Sequence, residues 1–385
     1  MMKRREFLSK GIVGATSSFL FVPAKKNLFS QEKTNLFLIA EESKSQPLYF
    51  DGLILSIEDA KNGEDFRKSG LSGFIWDVSA VEEKDGKYIR PFLLSLKSIG
   101  RANKILREND WQLFLATKGS EIPKARQNGK TAVFLQFQSC EPFKDDLDLM
   151  QVFYELGLRI CQVTHHSTNP FGGGSIEKQW TGLTEIGFKA IENMNALNII
   201  PDLSHGNEIL CQDILKTSKK PVIASHTCCR TIVNNARCIT DPVIKGVADS
   251  GGVVAIMPLS FWITNDPVPT VDHYLSHLEH IIKIGGIDAV ALSNDDTISG
   301  NIDAAKLNNK NEEAIKLDLD WWKRQQAAGI MGFEELPKHC VIPELNNVRR
   351  FFTIQTALEK KGYSSTEIEK IMGLNWLRVL TQCLG

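Results

Sequence analysis

NIIPDLSHGNEILCQDILKTSKKPVIASHTCCR, residues 198 to 230, carries the pattern on which the fold turns. Two short, β-branched, apolar runs each end in Ser-His: IIPDLSH closes on His205 and PVIASH closes on His226. Between them Ile209, Leu210, Ile214 and Leu215 recur at helical spacing. The unit reads as strand, helix, strand, with a histidine at the carboxyl end of each strand. In a parallel α/β barrel or a doubly wound sheet, the carboxyl ends of neighbouring strands lie side by side on the face where ligands bind. One such histidine reads equally as a hydrogen-bonded pocket residue. Two in the same register of consecutive strands point to convergence on a transition metal.

Outward from this unit, strand-like and helix-like segments alternate from residue 48 onward. Strand-then-helix units begin at 48, 72, 131, 158, 199, 221, 252 and 287. Eight βα units over roughly 250 residues are what a closed parallel barrel needs. WQLFLAT, 111–117, is a surplus strand and is assigned to an insertion. Residues 91–107 read as an amphipathic helix, 57–68 as a polar one, and from 312 the chain is helical, including a capped helix that starts at Ser364-Ser365. The expectation is an α/β chain, a (β/α)8 TIM-type barrel with extra C-terminal helices, spanning 47–385 as one domain. The loop THHSTNPFGGGS, 164–175, is rich in glycine but lacks the Lys-Ser/Thr of a phosphate cradle.

The chain has 385 residues, 42% of them hydrophobic, enough for one large core. A formal net charge of -1 makes no electrostatic case for nucleic acid or an anionic membrane. No run of 18 apolar residues occurs in the body, so no spanning helix is expected once the N-terminus is set aside. Residues 1–26 contain RREFLSK ahead of a short apolar stretch and resemble a bacterial twin-arginine export signal, which implies a periplasmic protein. Residues 27–46 read as a polar linker. The eight cysteines match no zinc-binding spacing and read as buried small apolar residues.

The strings DLSH, PVIASH, Arg237 eleven residues beyond His226, GGVVAIM, IDAVALSNDD, ELNNV and KKGYSSTEIEKIMGLNWLRVL occur in one order. Together they resemble the membrane (renal) dipeptidase family of zinc metallopeptidases, from about residue 48 to the C-terminus. The resemblance implies a barrel of the metal-dependent hydrolase kind, two zinc ions bridged by a carboxylate, and hydrolysis of dipeptides and related amides. The family's first strand reads Asp-Gly-His-Asn-Asp, whereas here Asp51-Gly52 is followed by Leu53, Ile54 and Leu55. Leucine coordinates nothing. The bridging Glu falls at Gln138, and the catalytic Asp aligns with Asn294 or, one step on, Asp295.

Other positions persist. The resemblance makes His205 and His226 the ligands of the second metal, His165 the histidine that polarises the tetrahedral intermediate, and Arg237 the clamp on the substrate carboxylate. His166 is assigned to the loop surface. Asp295 and Asp296 read either as general base or as caps of a following helix. His273, His277 and His280 share helical spacing, but Leu275, Leu278, Ile281 and Ile282 define the buried side, which places the three on the exposed one. The expectation is a hydrolase of dipeptides or small amides with a free carboxylate. It holds one zinc through His205, His226 and weakly Gln138, with Asp295 or Asp296 as base. The alternative is a barrel without metal or catalysis that binds an amino-acid or peptide-like ligand. The partner is thus a small molecule or dipeptide, and a homodimer stays open.

Overall fold

Short runs of alternating or wholly apolar, β-branched residues extend into eight parallel strands. They are β1 (Tyr49–Ser56), β2 (Leu71–Asp77), β3 (Thr131–Phe137), β4 (Leu158–Gln162), β5 (Ile200–Asp202), β6 (Ile223–Thr227), β7 (Val253–Ile256) and β8 (Val290–Leu292). The computed structural model describes residues 47–58, 63–84 and 87–385. The export signal and linker expected over 1–46 lie outside those residues.

Each strand pairs in parallel with the next, β1 through β8. Just past β8, Asp296–Thr297 pairs in parallel with β1, and the Asp295 N–H donates to Leu53 O at 2.9 Å. The sheet therefore curls back on itself, as expected of a TIM-type barrel. Helices α1 (Glu64–Ser69), α2 (Phe92–Glu108), α3 (Asp148–Glu155), α4 (Glu185–Leu197), α5 (Glu208–Thr217), α6 (Asp241–Asp249) and α7 (Val271–Gly285) follow the first seven strands in turn. The surplus strand is real: Leu113–Leu115 pairs with the start of β3, outside the ring order. A small antiparallel hairpin, Glu82–Lys84 with Lys87–Ile89, was not legible in the sequence.

The amino end of the barrel is stoppered by the C-terminal GLNWLRV segment. Trp376 is fully buried against Phe50, with ring centroids 5.4 Å apart, and its indole N–H donates to Leu292 O. Asn375 donates to Ile287 O and Val290 O, so the segment satisfies strand-end carbonyls while burying its aromatic ring. Truncating Trp376 to Ala would cost about 3–5 kcal/mol. Gly52 is required by a close approach across the barrel: a Cβ there would sit 2.4 Å from Ser225 O. The C-terminal capping box forms as read, with the Ser364 hydroxyl and Glu367 carboxylate capping reciprocally.

One expectation about the histidines is corrected. His277 is buried, not exposed: Nδ1 accepts from Cys229 N–H and Nε2–H donates to Ile263 O, each at 2.9 Å. His273 belongs to the capping box of α7 and His280 lies 2.7 Å from Asp241, so the three do not form a metal face. All eight cysteines are buried free thiols. Among the described residues no helix is long and apolar enough to cross a membrane.

Candidate functional site

Four imidazoles meet at the carboxyl ends of β4, β5 and β6. His165 and His166 stand in the turn just beyond β4, His205 three residues beyond β5, and His226 within β6. His205 Nε2 is 2.8 Å from His226 Nε2, and His205 Nδ1 is 3.2 Å from His166 Nδ1. The rings of His165 and His205 stack with centroids 4.1 Å apart. His166 is therefore part of the cluster and not loop surface. A left-handed backbone at His166 (φ 60°) turns its ring back to the side of His165, and His205 (φ 68°) is left-handed too. His205 and His226 have pKa values well below the ordinary imidazole value, because of burial first and then the charge of Arg237. Both are neutral near pH 7 and so have lone pairs to offer.

Beneath the imidazoles lies a buried acid that sequence reasoning missed. The Asp202 carboxylate accepts from the Nε2 groups of Gln136 and Gln162, from the hydroxyls of Ser204 and Ser225, and from the backbone N–H groups of both serines. Ser225 Oγ is also 2.7 Å from His226 Nδ1. The signal was present in the repeated Ser-His: in both strands the serine serves Asp202 while the next residue enters the cluster.

Arg237 is buried, and its Nη2 donates to His226 O at 2.8 Å. Its Nε and Nη1 groups have no hydrogen-bond partner. Trp262 lies beneath the guanidinium, 5.5 Å from ring centroid to Cζ. Burial lowers the pKa of this guanidinium, and the negative charge of Asp295 opposes that shift. Asp296 Oδ1 accepts from its neighbour's N–H, Thr297, and the residue lines a separate small cavity with Asn294, Pro258 and Asn301. Asn294 donates its side-chain amide to Thr297 O, and so is tied to the turn.

Gln138, expected as the third metal ligand, has its amide oxygen engaged: Oε1 accepts from Arg90 Nη2 at 3.2 Å, and Arg90 Nε is held by Ser79 Oγ. The amide oxygen is the atom an amide would coordinate through. Leu53 is fully buried in the barrel core and Leu55 packs against it, so apolar side chains fill the place of the family's first-strand ligands. Asp51 is retained but buried; burial pushes its carboxyl up to about 7, and Oδ2 has no partner.

The donor set fits a divalent cation. His165, His166 and His205 offer nitrogens that all lie within 4.8 Å of one another, the neutral-nitrogen set that zinc accepts. Trp321 packs beside His166, ring centroids 5.5 Å apart, in a segment tied down by Asn235 Nδ2–H to Gly332 O and Ala236 N–H to Met331 O.

The sequence model of the membrane dipeptidases, peptidase family M19, matches residues 59–317. An uncharacterized dipeptidase of Schizosaccharomyces pombe is 28% identical over 284 residues, covering 71% of this chain and 58% of that protein. The dipeptidase tcpJ of Claviceps purpurea is 23% identical over 292 residues, covering 75% and 59% respectively. The chain thus spans under two thirds of the length of the curated relatives it matches. Among solved structures, an amidohydrolase from Pseudomonas aeruginosa superposes with TM-score 0.74 at 26% identity, covering 90% of this chain and 99% of that one. A metallo peptidase from Rhodobacter sphaeroides, liganded with a phosphinate mimic of L-Ala-D-Ala, shares the fold at TM-score 0.69 and 17% identity, over 88% of this chain and 100% of its own.

Proposed function

Because this chain belongs to the membrane dipeptidase family, we propose that it hydrolyses a dipeptide or similarly small amide with a free carboxylate, using one zinc-type cation rather than two. Arg237 carries the reading. A buried guanidinium with unpaired N–H groups at Nε and Nη1 is costly to keep, and a substrate carboxylate is the partner whose charge and acceptor oxygens would offset that cost. Anchored there, a substrate places its amide beside the imidazoles, which the Arg237–His226 contact sets against the same wall.

The imidazole cluster around His205 would hold the cation, which supplies Lewis-acid polarisation of the scissile carbonyl. Asp295, just past β8 with its N–H bonded to Leu53 O, would take a proton from the attacking water and return it to the leaving amine. Asp296 faces a different cavity, which favours Asp295 for this role. The overlying Trp321 segment excludes water from the reacting groups.

The test compares dipeptides with free and amidated C-termini on zinc-loaded protein. Amidation should lower kcat/KM by about 100-fold or more, since it leaves the buried guanidinium unmatched. Equal rates on both would remove Arg237 from the role. The second reading, a binding barrel without turnover, is favoured by Leu53 and Leu55 filling the first metal pocket. It requires calorimetric binding of the free-carboxylate dipeptide with no product formed.

A further inference from the structure

We propose that the cation is held by His165, His166 and His205, with His226 behind them as a positioning residue, so that the centre has moved off the His205 and His226 pair that the family resemblance implies. This rests on reading the site as a one-cation centre. The hydrogen-bond chain from Asp202 assigns the nitrogens. Ser225 donates its single proton to Asp202, so Ser225 Oγ accepts from His226 Nδ1–H. His226 Nε2 is then a lone pair, and the His205 Nε2–H 2.8 Å away points into it. That leaves the lone pair of His205 on Nδ1, directed away from His226 and 3.2 Å from His166 Nδ1. Two nitrogens sharing a tetrahedral zinc stand about 3.3 Å apart. His226 is committed on both nitrogens, to Ser225 and to His205, the disposition of an outer residue that orients a ligand.

His166 is held in position at a cost. Its left-handed backbone is unfavourable for a residue with a side chain, and persists only where the surroundings enforce it. The enforcing element is the glycine-rich loop. A Cβ on Gly174 would lie 2.0 Å from His166 O, and the Ile176 N–H donates to that same oxygen at 2.9 Å. Trp321 closes over the ring from the other side. The run Gly172–Gly174, which has no phosphate to cradle, thus serves to press a backbone against His166. With His165, whose ligand atom lies within 4.8 Å of those of His166 and His205, the set is three imidazoles with a coordination position left over. That is a donor set for zinc or another imidazole-preferring divalent ion.

The experiment measures bound metal by elemental mass spectrometry on the full chain after equilibration with zinc, for wild type, His166→Asn, His226→Asn and Gln138→Ala. Asn tolerates the left-handed conformation, so His166→Asn removes the imidazole without straining the turn. Expected are about one zinc per chain in wild type and in Gln138→Ala, and less than a tenth of that in His166→Asn. His226→Asn should keep the ion with affinity lowered about 10–100-fold. Full occupancy in His166→Asn, complete loss in His226→Asn, or no zinc in wild type overturns the proposal. As a second readout, His166→Cys loaded with cobalt(II) should show a near-ultraviolet thiolate-to-cobalt band that wild type lacks; its absence from a folded, cobalt-loaded variant also overturns it. Zinc lost from His166→Asn in a protein that cleaves no dipeptide would uphold this site and refute the hydrolase reading. Cleavage by a fully zinc-loaded His166→Asn would do the reverse.

Discussion

Ser225 Oγ stands 2.7 Å from His226 Nδ1 and donates its proton to Asp202, so a buried carboxylate acts on the imidazole through one hydroxyl. The arrangement fixes the protonated nitrogen of His226 and thereby of His205. Replacing Ser225 with Ala leaves His226 Nδ1 without its acceptor and free to flip. Zinc affinity, read by competition with a chelating dye, should fall about 10–100-fold, and stability by about 1–3 kcal/mol. Unchanged affinity would mean that the tautomer is set elsewhere.

Trp321 covers His166 and packs on Phe333, with centroids 5.5 and 5.4 Å apart, in a segment hydrogen-bonded to the Asn235–Ala236 stretch that leads into Arg237. If Arg237 anchors the substrate carboxylate as proposed, a ring tied to that stretch would limit the size of the substrate group between them. Trp321→Ala should raise kcat/KM for bulky dipeptides relative to Gly-Gly by about 10-fold or more. A parallel fall for small and bulky substrates would show that the ring shapes the site without selecting the substrate.

The eight strand positions were legible because each is a short, largely apolar run bounded by glycine or polar turns, and local pattern decides such elements. The convergence of His205 and His226 was legible because residue type and place at a strand end sufficed, whereas Arg237, in a loop, was picked out by the resemblance alone. His166 was lost because adjacent residues on an extended strand face opposite ways, and only the left-handed turn brings it round. Gln138 follows β3, but nothing in its neighbourhood announces that Arg90, 48 residues earlier, occupies its oxygen. His277 could have been placed: Tyr274, His277, Leu278 and Ile281 form the buried stripe of α7, and its polarity misdirected the reading.

Asp51 supplies a pH signature. Burial pushes its carboxyl up to about 7 in the folded chain, against about 4 when unfolded. Between those values the folded state binds the extra proton, so the group's contribution to stability is full below pH 4 and is lost as pH rises through 7. Asp51→Asn has no such dependence. Its stability relative to wild type, from urea unfolding at a series of pH values, should climb across that window by at most about 4 kcal/mol. A difference that stays flat would show the carboxyl ionised throughout.

Restoring the family's first-strand ligands should not restore a second ion. In Leu53→His with Leu55→Asp, the new donors enter a pocket packed against Phe50 and Trp376, and no carboxylate bridges from β3, where Gln138 is held by Arg90. The Arg90 guanidinium adds positive charge on the side a second dication would need, and it already weighs on His226. Zinc content should stay at no more than one per chain, while removal of buried Leu53 and burial of polar groups lowers stability by roughly 3–5 kcal/mol. Two zinc ions per chain in this variant would mean that β3 need not supply the bridge, and that the leucines alone keep the wild-type site mononuclear.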